Sequence, residues 1–104
     1  MKIKNYLTPE GHDLFSVFLK KVRDPIAKAK IAMRVNRMSA GNFGDCKPLR
    51  EGVWEIRIDQ GSGYRVYYSL VNKQIILLLL GGDKRTQSAD IDHAVACLQD
   101  YLKR

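Results

Sequence analysis

Two alternating runs joined by a glycine turn constrain this chain more than any other feature. Val53-Trp54-Glu55-Ile56-Arg57-Ile58-Asp59 and Tyr64–Leu70 each switch between apolar and polar residues at every step, with Gln60-Gly61-Ser62-Gly63 between them. Successive side chains of a strand point to opposite faces, so each run predicts a strand with one apolar face. Glycines in the connection supply the positive φ that a tight hairpin needs. Trp54, Ile56, Ile58, Tyr64, Val66, Tyr68 and Leu70 then form the core face. Glu55, Arg57, Asp59, Arg65, Tyr67 and Ser69 form the opposite face, read from the pattern as open. Asn72-Lys73 makes the next turn, and Ile75–Leu80 is apolar on both faces, as a central strand is when both sides are covered.

Helical periodicity brackets this sheet. Lys2–Tyr6 can form a short first strand. Thr8 reads as the N-cap of a helix with Pro9 at its first position, followed by Leu14, Phe15, Phe18, Leu19 and Val22 at helical spacing, and ending near Asp24. Asp24-Pro25 opens a second helix with Ile31, Val35 and Met38 as its apolar stripe and Gly41 as its stop. The short connection predicts a helical hairpin. Asn42–Lys47 and Gly81–Gln87 read as loops. Ser88 can cap a last helix carrying Ile91, Ala94, Val95, Leu98 and Leu102. The predicted order is (β)ααβββα: an α+β fold with a small antiparallel twisted sheet, an N-terminal helical hairpin and a C-terminal helix.

The chain has 104 residues and is 45% hydrophobic, enough for one domain over residues 1–104 with one core. Its net charge of +7 suggests a polyanionic partner. Residues 1–40 hold nine Lys/Arg against three Asp/Glu, a net of +6, so most of the excess lies in the helices rather than the strands. Lys30, Arg34 and Arg37 share one side of the second helix, either as a clamp on RNA phosphates or as a solvated face. Lys47 and Arg50 flank Pro48 beside the sheet and are candidates for RNA-backbone contact. Tyr67 is a candidate for stacking on a base.

Cys46 and Cys97 have neither metal-site nor disulfide-framework spacing, and His12 and His93 have no ligand at metal spacing, so no metal or cofactor is expected. Met1–Tyr6 lacks the apolar core of a signal peptide, and Ile75–Leu80 is far shorter than the ~20 residues that span a bilayer. A cytoplasmic protein with no membrane association is the expectation.

Several motifs, in order, carry a family likeness: Gly41-Asn42-Phe43-Gly44-Asp45 with Lys47-Pro48-Leu49, Gly52-Val53-Trp54-Glu55-Ile56-Arg57-Ile58, Gly63-Tyr64-Arg65-Val66-Tyr67-Tyr68, and Gly81-Gly82-Asp83-Lys84-Arg85-Thr86-Gln87. Together they resemble the RelE/ParE superfamily of toxins from bacterial type II toxin–antitoxin modules. Within it the chain looks most like the HigB-like branch, the addiction-module killer proteins. The resemblance covers almost the whole chain. It implies a metal-independent, ribosome-dependent mRNA endonuclease blocked by a cognate antitoxin, itself a helix-turn-helix DNA-binding protein. Arg65 would bind the scissile phosphate region, assisted by Arg57 one strand earlier and by Lys84 or Arg85 in the following loop.

Arginine suits that task because its planar fork holds two phosphoryl oxygens and never deprotonates. Proton transfer is where the chain departs from RelE. RelE-like members place a Tyr or His shortly after the loop cation, where this chain has Gln87, Ser88, Ala89 and Asp90. Lysines of RelE give way to Glu55 and Arg57, which leaves Glu55 as a candidate base. Two alternatives stay open: a non-nuclease toxin of the ParE kind that inhibits DNA gyrase, and a catalytically inactive relative that binds the antitoxin.

Overall fold

The computed structural model describes residues Met1–Arg104. Five strands and three helices follow in the order β1 (Lys2–Asn5), α1 (Leu14–Lys21), α2 (Pro25–Met38), β2 (Cys46–Arg50), β3 (Val53–Ile58), β4 (Tyr64–Val71), β5 (Ile75–Asp83) and α3 (Gln87–Lys103). They build one sheet in the order β1-β5-β4-β3-β2. β1 runs parallel to β5, and every other pair is antiparallel. The α+β class and antiparallel-dominated sheet are as the sequence predicts. No helix is long and apolar enough to cross a membrane.

The sheet has one strand more than the pattern shows. Residues 46 and 47, read as loop, begin β2, which pairs with β3 at the sheet edge. Its Cys-Lys-Pro-Leu-Arg sequence barely alternates, and Pro48 is a residue that sheets tolerate at an edge. Glu51 and Gly52, at φ +51 and +86, connect β2 to β3 in a tight turn. Asn72 and Lys73, at +54 and +57, make the expected turn into β5.

Both faces of the sheet are covered. α1 and α2 pack Phe15, Val22, Ala27, Ile31 and Met38 on Ile56, Ile58, Val66, Tyr68, Ile76 and Leu78. On the other side α3 packs Ala94, Val95, Cys97 and Leu98 on Val53, Tyr67, Val71, Leu77 and Leu79. Burial of each such apolar side chain is worth roughly 1.5–3 kcal/mol. The face read as open is therefore the bed of α3. Alternation alone cannot distinguish a wet face from one covered by a distant helix. Glu55 and Tyr67 are fully buried there, and Ser69 nearly so. On the opposite face, Leu70 is exposed and Trp54 half-buried.

Two helix starts also differ. α1 begins at Leu14, not after Thr8, because Asp13 accepts from Ser16 N at 3.0 Å and caps it. Thr8 instead closes a turn, its Oγ1 accepting from His12 N at 3.0 Å, with Gly11 at φ +85. β5 continues through Gly81 and Gly82 to Asp83, and a 3-10 turn at Lys84–Thr86 leads into α3, so Ser88 lies inside the helix and Thr86 holds the N-cap position. A Cβ on Gly82 would stand 1.9 Å from Asp90 Oδ2, which shows how closely α3 starts over the end of the sheet.

Candidate functional site

α3 starts too late to cover the far end of its face. Arg57 on β3 and Arg65 on β4 occupy that uncovered end as directly opposed cross-strand partners. Opposed residues of an antiparallel pair share a face, with Cβ atoms ~4.5–5.5 Å apart. Two like charges there repel unless something neutralises them. Glu55, one pleat along the same face, does so: its Oε1 is 3.5 Å from Arg65 Nε and its Oε2 4.0 Å from Arg57 Nε. Gln87, in the first turn of α3, donates from Nε2 to Glu55 Oε1 at 3.3 Å. Asp45 takes the other end of Arg57, its Oδ1 accepting from an Nη at 3.0 Å.

The two arginines differ in exposure. The Arg57 side chain is 40% exposed and that of Arg65 is 11% exposed, while Glu55 is at 0%. Glu55 Oε2, both Nε atoms and the Tyr67 hydroxyl are buried without a hydrogen-bond partner. Burial, followed by the nearby Asp90 and Glu55 carboxylates, pushes the Tyr67 hydroxyl well above the usual phenol range, so it stays protonated. The ring is closed off from a stacking base.

A cavity of about 420 Å³ opens in front of the arginines. Its wall includes Arg57, Arg65, Lys84, Asp45, Asp59 and Tyr64. Lys84 reaches it from the 3-10 turn by laying its stem along the backbone of Gly63, where an added Cβ would stand 3.1 Å from Lys84 Cε. Arg85 lies outside this cavity, and both Asp83 oxygens hold it: Oδ1 accepts from Arg85 N at 2.9 Å and Oδ2 from an Nη at 3.0 Å. That bond to Arg85 is the main reason the Asp83 carboxyl falls below its ordinary value.

The remaining sequence candidates separate. Lys47 is exposed and opposite Glu55 in register, so it extends the same face. Arg50 is tied to Glu51 and Asp92. Arg34 donates to three carbonyls, those of Arg57 at 2.7 Å and of Phe43 and Asp45 at 3.2 Å, and so holds the loop that carries Asp45. Lys30 donates to Gln60 Oε1 at 2.7 Å. Only Arg37 of that stripe is free on the surface. A stripe read as clamp or solvated face is thus mostly a brace between α2 and the sheet. Asp45, Asp59 and Tyr64 were not singled out from the sequence, because nothing local marks Asp45 as the partner of an arginine twelve residues on.

A family model described as Phage derived protein Gp49-like (DUF891) matches residues 13–99, from the cap of α1 to the last turns of α3. The chain belongs to this family. Gp49-like proteins form a RelE/ParE-like toxin family of addiction modules, which implies a cognate antitoxin as partner. Among similar proteins is one from Haemophilus influenzae (strain Rd), described as an uncharacterized protein. It is 44% identical over 100 residues that span 96% of this Gp49-like chain and 95% of its own length.

Proposed function

We propose that this Gp49-like toxin is a HigB-like mRNA endonuclease that acts on the translating ribosome. One observation carries the reading: Arg57 and Arg65 are opposed on a rigid sheet, with Lys84 over the same cavity. Three fixed cations around one opening suit a phosphodiester better than any uncharged ligand.

The reaction that fits is internal transesterification. The ribose 2′-oxygen bonds to the adjacent phosphorus and the P–O5′ bond breaks, leaving a 2′,3′-cyclic phosphate and a 5′-hydroxyl. The 2′-OH loses a proton and the 5′-oxygen gains one. Negative charge grows on the phosphoryl oxygens, where Arg57, Arg65 and Lys84 are already oriented. Donors of this kind are worth ~100–1,000-fold each in rate.

Glu55 lies behind the arginines and does not line the cavity, so its role is to position them, not to act as a base. Asp45 and Asp59 are the carboxylates in the cavity wall, Asp45 already accepting from Arg57, and Tyr64 is the hydroxyl there; proton transfer is assigned to this set. No imidazole lines the cavity, so the electrostatic contribution dominates. Lys47 guides the strand towards the opening.

Induced expression in a bacterium lacking the antitoxin tests the reading. Wild type is expected to arrest growth and to cut mRNA in a reconstituted translation reaction, and Arg65→Ala to do neither. Equal toxicity of the two, or intact mRNA with wild-type protein, would sink it. Inhibition of gyrase supercoiling with intact mRNA would assign the ParE-like activity instead.

A further inference from the structure

A second cleft of about 330 Å³ lies on the other side of Tyr64, which lines both openings. Lys21, from the end of α1, and Arg23, just after it, stand in its wall with Arg85. The two adjacent cations of the 3-10 turn are thereby divided: Lys84 serves the first cavity and Arg85 the second. Lys21 and Arg23 are exposed and make no ion pair. The only carboxylate in the wall, Asp83, is already engaged by Arg85. Between the cations lie the half-buried rings of Phe18 and Tyr64, 6.4 Å apart at 60°.

Cations beside an aromatic platform are what a single strand of nucleic acid requires, since the backbone needs charge and an unpaired base needs a ring face. An acidic protein segment would use the cations but has no need of the rings.

Resting on the endonuclease reading, we propose that this cleft is a subsite for the nucleotide next to the scissile phosphate of single-stranded RNA. Lys21 and Arg23 hold that nucleotide's phosphate, and its base lies against Tyr64 and Phe18. Tyr64 is then the partition that keeps two consecutive phosphates in separate openings.

The test uses the full chain and fluorescein-labelled RNAs of two and six nucleotides, fully 2′-O-methylated so that no attacking hydroxyl exists. Anisotropy is followed over a salt series, with thermal melting as the folding control. Lys21→Ala/Arg23→Ala is expected to weaken hexamer binding on the order of tenfold and leave dinucleotide binding unchanged. Its log K against log salt should flatten by about 0.7, the value for one lost phosphate contact on a single strand. Tyr64→Leu should weaken the hexamer without changing that slope. Unchanged affinity and slope in the double variant overturn the subsite. So does weakened binding confined to a polyglutamate peptide, which would make the cleft a protein surface. Dependence on Arg57 and Arg65 but not on Lys21 and Arg23 removes the subsite alone. The reverse dependence, together with intact mRNA in the translation reaction, removes the endonuclease reading while leaving an RNA-binding cleft. A wild type that binds neither RNA overturns the subsite, while the endonuclease reading stands or falls on the mRNA cut in the translation reaction.

Discussion

Replacing Arg65 with methionine is expected to cost about 3 kcal/mol of folding stability, although it changes one side chain at the end of the sheet. The reason is Glu55, a carboxylate at 0% exposure. Breaking a buried pair by removing one partner costs roughly 3–5 kcal/mol, because the other charge stays buried. The lower bound applies because Gln87 still donates to Glu55 at 3.3 Å and Arg57 Nε remains 4.0 Å away. Arg57→Met should cost only ~0–1 kcal/mol, since that side chain is 40% exposed and Arg65 still neutralises Glu55. Glu55→Met/Arg65→Met removes both charges and fills their volume, so it should lie within ~1 kcal/mol of wild type. Urea unfolding followed by the single tryptophan, Trp54, reads all four proteins, because that ring stacks on Tyr68 in the native sheet. With a slope of ~1–3 kcal/mol per molar, a 3 kcal/mol loss moves the midpoint by ~1–3 M. In thermal melts it appears as ~12–24 °C, at ~4–8 °C per kcal/mol for a domain this size. Two results would refute the reasoning. One is equal cost for Arg57→Met and Arg65→Met. The other is a double variant as unstable as Arg65→Met alone.

Lys84→Ala is expected to abolish growth arrest, since Lys84 lines the first cavity, and Arg85→Ala, in the wall of the second cleft and held by Asp83, to weaken it less; plating efficiency under induction decides it. Gly82→Ala should destabilise the chain by ~2 kcal/mol or more, because its Cβ would meet Asp90 Oδ2 at 1.9 Å and disrupt the 2.6 Å bond from Thr86 Oγ1. Gly41→Ala, with nothing within 4 Å and only its φ of +86 to resist it, is the control and should cost ~1 kcal/mol in the same melt. Acid should unfold the chain through its depressed carboxyls. Burial pushes the Asp13 carboxyl up, but hydrogen bonds from Asn5 and Ser16 outweigh it, and the net position is below its ordinary value. The Tyr6 hydroxyl does the same for Asp100, and Arg85 for Asp83. A depressed folded value means stability that is present above the unfolded pKa of ~4 and lost as pH falls through the folded one. Urea midpoints should therefore be flat from pH 7 to 5 and drop below 4, and Asp13→Asn should shallow that drop; an unchanged drop would exclude Asp13.

Local signals were enough for β3, β4, β5, the Asp24 cap of α2 and the Asn72-Lys73 turn. In each, the determining contacts lie within a few residues. β2 escaped notice because an edge strand pairs on one side only and needs little alternation, and its Pro48 reads as a breaker. Thr8-Pro9 resembles a helix start as much as Asp13 does. The cap falls on Asp13 because Leu7 bridges to it and Asn5 Nδ2 donates to it at 2.8 Å. The arginine pair was legible from two motifs, and so was Glu55 on the same face as its counter-charge; the hold of Asp45 on Arg57 was not, because it comes from a loop twelve residues away.

The sequence by itself determined the strand pattern, the hairpin, the family likeness and the two arginines on one face, because a period of two and a tight turn are properties of the local chain. Only the tertiary structure decided what that face meets. α3, which begins at Gln87, covers Glu55 and Tyr67 and leaves Arg57 and Arg65 at an open end. The position of a distant helix over a sheet depends on packing across the whole core, and no window of residues contains it.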